Sequence, residues 1–508
     1  MTRSNSTSTL RSLTQPIDRV AIVLIVALSL LIGILLLSGN HASARVRDFS
    51  WQNKQVGADD TAFTLTFSRP MNHASVESNL RIEPPLLGKV SWAGRRMAYT
   101  LNTPAPYGTQ FQVQLQKAQD RFTGSERGAM QPFTGTFQTH DRAFAYIGVS
   151  GEEAGRLILF NLNQQQKQIL TPKEMVVMDF KAYPQGERLL FAAAERTTEP
   201  TVLTEQKLYT VTTGIHVDSP IQPDAAQASP AKALPSPAPA GTVALVLDNK
   251  DYQNLKFDLS VDGNVIVVQR VNRKNPNDFG PWLMKTGEGA QPLKGEPGGD
   301  FLITPDSNSL AIAQGQGLAI LPLQPNAKPL DFLPKFGMVL SFARDGSLAT
   351  MVKFNTDNTR SLFLVGNQNT QKELLRTTGS ILSTRFDPTK KTLYCLLTEL
   401  LTGGNIYQEQ PYLAAIDLKT SKLHPLVMLP NQRDVQVSLA PDGLALLFDQ
   451  TTEAVHDQSA ADGQLRDSTG NAIASSRLWL LPLDPANPAA KLQPESLPLP
   501  GLRPLWLP

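Results

Sequence analysis

The stretch "VSLAPDGLALLFD", Val437 to Asp449, is an apolar run, a Pro-Asp-Gly turn and a second apolar run, and the chain keeps rewriting it. Further copies are "MDFKAYPQGERLLFAAA" (from Met178), "LKFDLSVDGNVIVVQ" (Leu255), "DFLITPDSNSLAIAQ" (Asp300), "LSFARDGSLATMV" (Leu340) and "TRFDPTKKTLYCLL" (Thr384). The turns carry Gly186, Asp262, Gly263, Asp306, Asp345, Gly346, Asp442 and Gly443. Glycine accepts positive φ there, and aspartate bonds back to its own backbone. A lone hairpin of this kind cannot bury both of its apolar faces, whereas stacked neighbours can.

Each copy is followed by a third strand, starting at Lys207, Pro281, Leu318, Leu362, Tyr412 and Arg477. The short steps between these starts are a propeller-blade period, and the long ones contain insertions. Four-stranded sheets repeated about an axis leave few exposed edges, so the pattern predicts an all-β protein dominated by a β-propeller over 143–508. A further unit is incomplete. "FAYIGV" (Phe144 to Val149), "RLILFNL" (Arg156 to Leu162) and "KQILT" (Lys167 to Thr171) supply three strands, and the terminal "GLRPLWLP" reads as the missing first one. Leu505, Trp506 and Leu507 are therefore expected to pair beside Phe144 to Val149 and close the ring. The count predicts seven blades, with six or eight as alternatives. These phrases resemble the WD40-like repeat in the propellers of TolB and of prolyl-oligopeptidase relatives. The best copies are Pro441-Asp442-Gly443, Arg344-Asp345-Gly346 and Val261-Asp262-Gly263; Thr389-Lys390-Lys391 is degraded.

Before the propeller, residues 47–140 alternate polar and apolar positions in "AFTLTFS", "MAYTLN", "FQVQLQ" and "GTFQT", with Pro70, Pro84, Pro85, Pro104 and Gly108 at the interruptions. Short strands in period two predict a small β-sandwich. The phrase "FSRPMNHASVESNLRIEPPLLGKVSW" with "YTLNTPAPYGTQFQVQL" resembles an SbsA-type bacterial Ig-like domain. It departs from that pattern in the longer "QDRFTGSERGAM". The resemblance implies an envelope spacer or adhesion module without catalytic residues.

Residues 20–37, "VAIVLIVALSLLIGILLL", contain no charge and are long enough to span a bilayer. Arg3, Arg11 and Arg19 precede them, predicting a cytoplasmic tail over 1–19 and a transmembrane signal anchor over 20–37. Ala42-Ser43-Ala44 fits the alternative, signal cleavage after Ala44. Either way the bulk of the chain is expected outside the cytoplasm, in the periplasm of a bacterium, held to the inner membrane by a single pass if the anchor is retained.

Chemistry is harder to find. A net charge of +2 gives no basic footprint, so no nucleic acid partner is expected. The single cysteine, Cys395, lies in the apolar run "LYCLL" and is expected buried and inert. No G-x-S-x-G elbow or H-E-x-x-H helix occurs, and the six histidines are scattered. The "AQGQG" at Ala313 to Gly317 lacks a phosphate-binding continuation. The proline-rich insertion at 218–242 cannot pack a core, and the acids Asp457, Asp462 and Asp467 lack calcium-loop spacing. Asp179, Asp258, Asp300 and Asp387 lie near first strands, where propellers can bring acids together at the axis, and Trp282, Trp479 and Trp506 are candidate aromatic contacts. No catalytic, metal or cofactor site is assigned. The reading is a membrane-anchored, non-enzymatic cell-envelope protein displaying a propeller for protein binding, and the TolB resemblance implies an envelope protein as the partner at its mouth. The alternatives are a carbohydrate-binding or glycoside-cleaving propeller, and a structural spacer.

Overall fold

The computed structural model describes residues 16–37, 43–121, 129–196, 205–215, 239–293, 298–315, 317–324, 330–366, 370–401, 408–430, 432, 434–453, 465, 473–490 and 492–508. A helix runs from Pro16 to Leu37. Among the described residues, no helix is long and apolar enough to cross a membrane. The expected anchor at 20–37 falls partly outside them, because the side chains of 35–37 are not described. Residues 1–15 of the expected tail, 38–42, 216–238 with most of the proline-rich insertion, and most of 454–472 also lie outside them.

The described residues of 43–140 form a sandwich of two four-stranded sheets. Phe63, Phe67, Trp51, Phe111 and Phe137 fill the space between them. Its short helix His73–Asn79 starts where the Asn72 side chain accepts the Ser75 N–H at 3.1 Å.

From Ala143 onward the described residues form seven four-stranded antiparallel sheets. The hairpin copies supply the first two strands of six of them, and local turn chemistry sets their register. In the fifth sheet, Ala343 N–H donates to the Leu348 carbonyl and Gly346 N–H to that of Ala343, with Gly346 at φ +69°. Two copies without glycine place Ser307 (φ +59°) and Lys390 (φ +56°) in the same left-handed position.

The second strand of each sheet shows why its sequence is apolar throughout. Alternate residues face opposite neighbours. In the sixth sheet, Leu393 and Cys395 pack on Val352 and Leu362 of the fifth, while Tyr394 and Leu396 pack on Leu446 and Phe448 of the seventh. The same alternation joins first to second, second to third, third to fourth and fourth to fifth. Leu447 and Leu478 of the seventh then meet Phe144 and Tyr146 of the first. The packing is cyclic, the arrangement of a β-propeller.

The first sheet is assembled from both ends of this region. Strand Gly501–Trp506 pairs antiparallel with Ala143–Gly148, placing Leu505 opposite Ala145 and Trp506 opposite Phe144. Leu507 N–H donates to the Ala143 carbonyl at 2.9 Å.

The sandwich is seated on the propeller face that carries the hairpin turns. The Asp442 carboxylate accepts its own turn's Leu444 N–H at 3.0 Å and also the buried Tyr107 N–H at 2.9 Å, with Arg142 Nη2 3.4 Å away. Asp59 of the sandwich pairs with Arg344 in the turn of the fifth sheet. Burial, the leading influence, pushes the Tyr107 hydroxyl up to about 12.

Candidate functional site

The innermost strands bring charged side chains from distant parts of the chain to the propeller axis. Arg503 is the centre of the set. The pairing of the closing strand slips between Leu502 and Leu505, and Arg503 takes φ +53° there. Such a bulge re-aims a side chain, and non-glycine residues hold left-handed φ only when their surroundings fix them. The fixing group is Asp449, 1% exposed, whose two oxygens accept the Arg503 N–H and the Gln436 N–H, each at 2.7 Å. The re-aimed guanidinium then lies 3.3 Å from Asp179 and 3.8 Å from Asp434.

A second ion pair lies beside the first. Lys181 Nζ is 3.3 Å from Asp258 Oδ1, while Asp258 Oδ2 accepts the Ile303 N–H of the next sheet at 2.9 Å. Asp258 foremost, and then Asp179, hold the Lys181 ammonium above its ordinary range against the cost of burial. Arg385, on the innermost strand of the sixth sheet, also acts on Lys181, lowering it. Its own guanidinium donates to the Thr384 carbonyl at 2.8 Å and has no acid partner among the described residues. Burial alone pulls it below the usual arginine range. Behind it, the hydroxyls of Ser341, Thr350 and Thr384 bond to one another at 2.6 to 2.8 Å.

Burial works against the charge of Arg503, but Asp179, Asp434 and Asp449 outweigh it and hold the group above its ordinary value. Asp449 itself is pushed up to about 7, mainly by burial, with neighbouring Asp434 adding to the effect and the two N–H bonds opposing it.

The four acids singled out in the sequence therefore divide. Asp179 and Asp258 belong to the axial set. Asp300 is paired with Lys256 at 2.6 Å. Asp387 does not face the axis: it lies in the turn after Phe386 and caps Thr389 N–H at 3.0 Å, because an aspartate at that position bonds its own backbone first. Asp262, Asp306 and Asp345 likewise cap turn N–H groups at 3.1 Å, and the turn glycines Gly186, Gly263, Gly346 and Gly443 take positive φ.

The tryptophans serve packing. Trp506 is buried against Phe144 at 5.3 Å, and Trp479 packs between the sixth and seventh sheets. Trp282 shares the buried Arg270 guanidinium with Tyr252, whose ring lies 4.6 Å away. Cys395 is buried and its thiol is pushed up by burial. Ala44 is in the sandwich core, and its carbonyl accepts the Gln131 N–H at 2.7 Å. Among the described residues, no group of three or more His, Cys, Asp or Glu is placed to hold a metal ion.

Sequence reading missed Lys181, Arg385, Asp434, Asp449 and Arg503. The one available signal was a polar residue ending an apolar strand, as Asp449 ends the hairpin quoted first.

Fold and axial set define the class of protein: a β-propeller joined to a β-sandwich. No family model matches the chain, and no curated protein matches it. Among solved structures it is similar to TolB from Acinetobacter baumannii, with 10% identity over 84% of this chain and 82% of that one and a TM-score of 0.39. An oligogalacturonate lyase from Vibrio parahaemolyticus shares 9% identity, over 61% of this chain and 87% of the other, with a TM-score of 0.42. A 6-phosphogluconolactonase-like protein from Bacteroides fragilis shares 12% identity, over 72% and 98%, with a TM-score of 0.41. Likenesses this distant carry no conclusion about activity.

Proposed function

We propose that this chain is a non-enzymatic binding protein of the bacterial cell envelope, anchored through 20–37. It presents a seven-bladed propeller, closed by its C-terminal strand and carried on an Ig-like sandwich, to a protein partner. The place of Ala44 in the sandwich core supports a retained anchor over cleavage after that residue. One observation carries the functional reading. The axial acids are engaged with arginine, lysine and backbone N–H groups, while Arg385 is left with only a backbone carbonyl. A fixed wall of paired charges with one uncommitted guanidinium is suited to recognising a partner's polar surface, and charge complementarity of that kind fixes register and partner choice. Arg385 is the last residue but one of strand Ile381–Phe386, near its turn end, so the partner is assigned to the axial channel itself.

Photo-crosslinking in cells, from positions bordering the axial channel of the full-length tagged protein, tests this. The expected result is one dominant envelope protein, lost in Arg385→Glu and retained in Arg385→Lys. Capture of no protein, together with binding of cell-wall glycans by the purified chain, would overturn it in favour of a carbohydrate-directed propeller.

A further inference from the structure

A cleft of about 620 Å³ opens where the sandwich meets the first two sheets. Its floor is apolar, with Leu159 and Leu507 among its residues, and its walls carry Gln55, Asp141, Gln166, Lys167 and Gln168. Successive residues of a strand point to opposite faces. Since Gln166, Lys167 and Gln168 all line one cleft, the cleft reaches around the edge of their strand.

Among the described residues that edge is free: strand Gln166–Ile169 is the outermost of its sheet and pairs with Leu157–Asn161 alone. Leu170 N–H donates to the Leu157 carbonyl, and the register continues as Gln168 opposite Leu159 and Gln166 opposite Asn161. In an antiparallel ladder alternate residues bond inward, so Gln166 and Gln168 face their partner strand, and the N–H and C=O of Lys167 point out.

The side chains around this edge set the ligand chemistry. The amides of Gln55, Gln166 and Gln168 have no hydrogen-bond partner among the described residues. Lys167 is paired with Glu153, and Asp141 Oδ2 already accepts Asn161 Nδ2 at 2.9 Å and Gln164 Nε2 at 2.8 Å. Amides both donate and accept, and the lining offers an anionic ligand no unpaired lysine or arginine. No Trp, Tyr or Phe lines the cleft to receive the face of a sugar ring. An exposed edge above an apolar floor is the arrangement in which an added strand gains main-chain bonds while alternate side chains find pockets.

We propose that this cleft is a second binding site, at which an uncharged, extended peptide segment of a partner protein adds to the free edge of Gln166–Ile169. The site is independent of the axial wall, so either can fail without the other.

Its test uses the full chain and a phage-displayed random decapeptide library, with the strongest selected peptide synthesised as the probe. The expected peptides are uncharged, and the probe slows hydrogen exchange of the 166–169 amides. Lys167→Pro removes the outward N–H at an edge position where proline is tolerated, and weakens binding by about tenfold or more. Lys167→Gln keeps the N–H and binds like the unmodified chain. Equal loss in both variants, protection confined to the axial strands, a charged consensus, or no selected peptide would each overturn the proposal. Self-association that Lys167→Pro abolishes would overturn it in favour of a second copy of this chain. Should Lys167→Pro fail to fold, the exchange footprint on the unmodified chain decides alone.

Discussion

The fifth sheet and the first are built to the same four-stranded plan but held by different means. The fifth is a continuous run of chain, 338–377, and its turn acid Asp345 is half-exposed, with Lys390 and the Ser347 hydroxyl holding its carboxyl down to about 2. The first joins strands about 350 residues apart, and the acid that secures it, Asp449, is fully buried and pushed up to about 7. Both aspartates accept backbone N–H bonds. Local closure uses a carboxylate where water supports its charge; closure across the whole ring uses one where burial opposes it. Arg503, Asp179 and Asp434 are gathered at that same place, so the join and the axial wall are one piece of structure.

The sharpest way to break this contrast is to delete 501–508. The edge of Ala143–Gly148 then lacks a partner, and cooperative thermal unfolding of the propeller is expected to disappear; melting like the intact chain would dissolve the distinction. Next in size is Asp449→Ala, which strands two buried N–H groups at about 1–3 kcal/mol each. Denaturant titration should show that loss, whereas Asp345→Ala, at an exposed pair, should cost less than about 1 kcal/mol.

The pH dependence should have opposite signs at the two sites. Asp449 binds its proton more readily folded than unfolded, so its contribution to stability grows as pH falls from about 7 toward 4 and is flat above that range. Asp345 is held charged by the fold, so its contribution is present above about 4 and fades as pH falls through about 2. Urea midpoints of the unmodified chain and Asp449→Asn, compared between pH 4 and 8, should move closer together as pH rises. A constant difference would show that Asp449 does not titrate there. Smaller effects belong to the ordinary sheets. Thr384→Val removes one member of a buried hydroxyl trio and should cost about 1 kcal/mol. Ser307→Gly relieves a left-handed residue and should raise stability by up to about 1 kcal/mol in the same titration.

The contrast also marks what could be read in advance. Asp-Gly turns and apolar runs buried on both faces are local, so the repeated hairpin could be seen directly. The pairing of "GLRPLWLP" with "FAYIGV" was readable because one sheet lacked a strand and the chain had one left over. The sandwich helix was hidden: His73–Asn79 is too short for a helical period, and its only signal is the Asn72 cap. The axial set was hidden for another reason. Arg503 reaches the axis through a slip in pairing that no periodicity records, and Asp434 and Asp449 meet it only because the ring closes. Asp442, expected as a turn acid, is one, but its second bond to Tyr107 depends on a domain 335 residues away.

The strand Gly501–Trp506 also bears on synthesis. During translation, Ala143–Gly148 emerges early, every residue of it destined to be buried, and its partner emerges only after the rest of the ring. Until then that segment is an apolar strand with an open edge, the kind that pairs wrongly with other chains. Residues 501–506 are thus the ones that end the period of greatest exposure to misassembly.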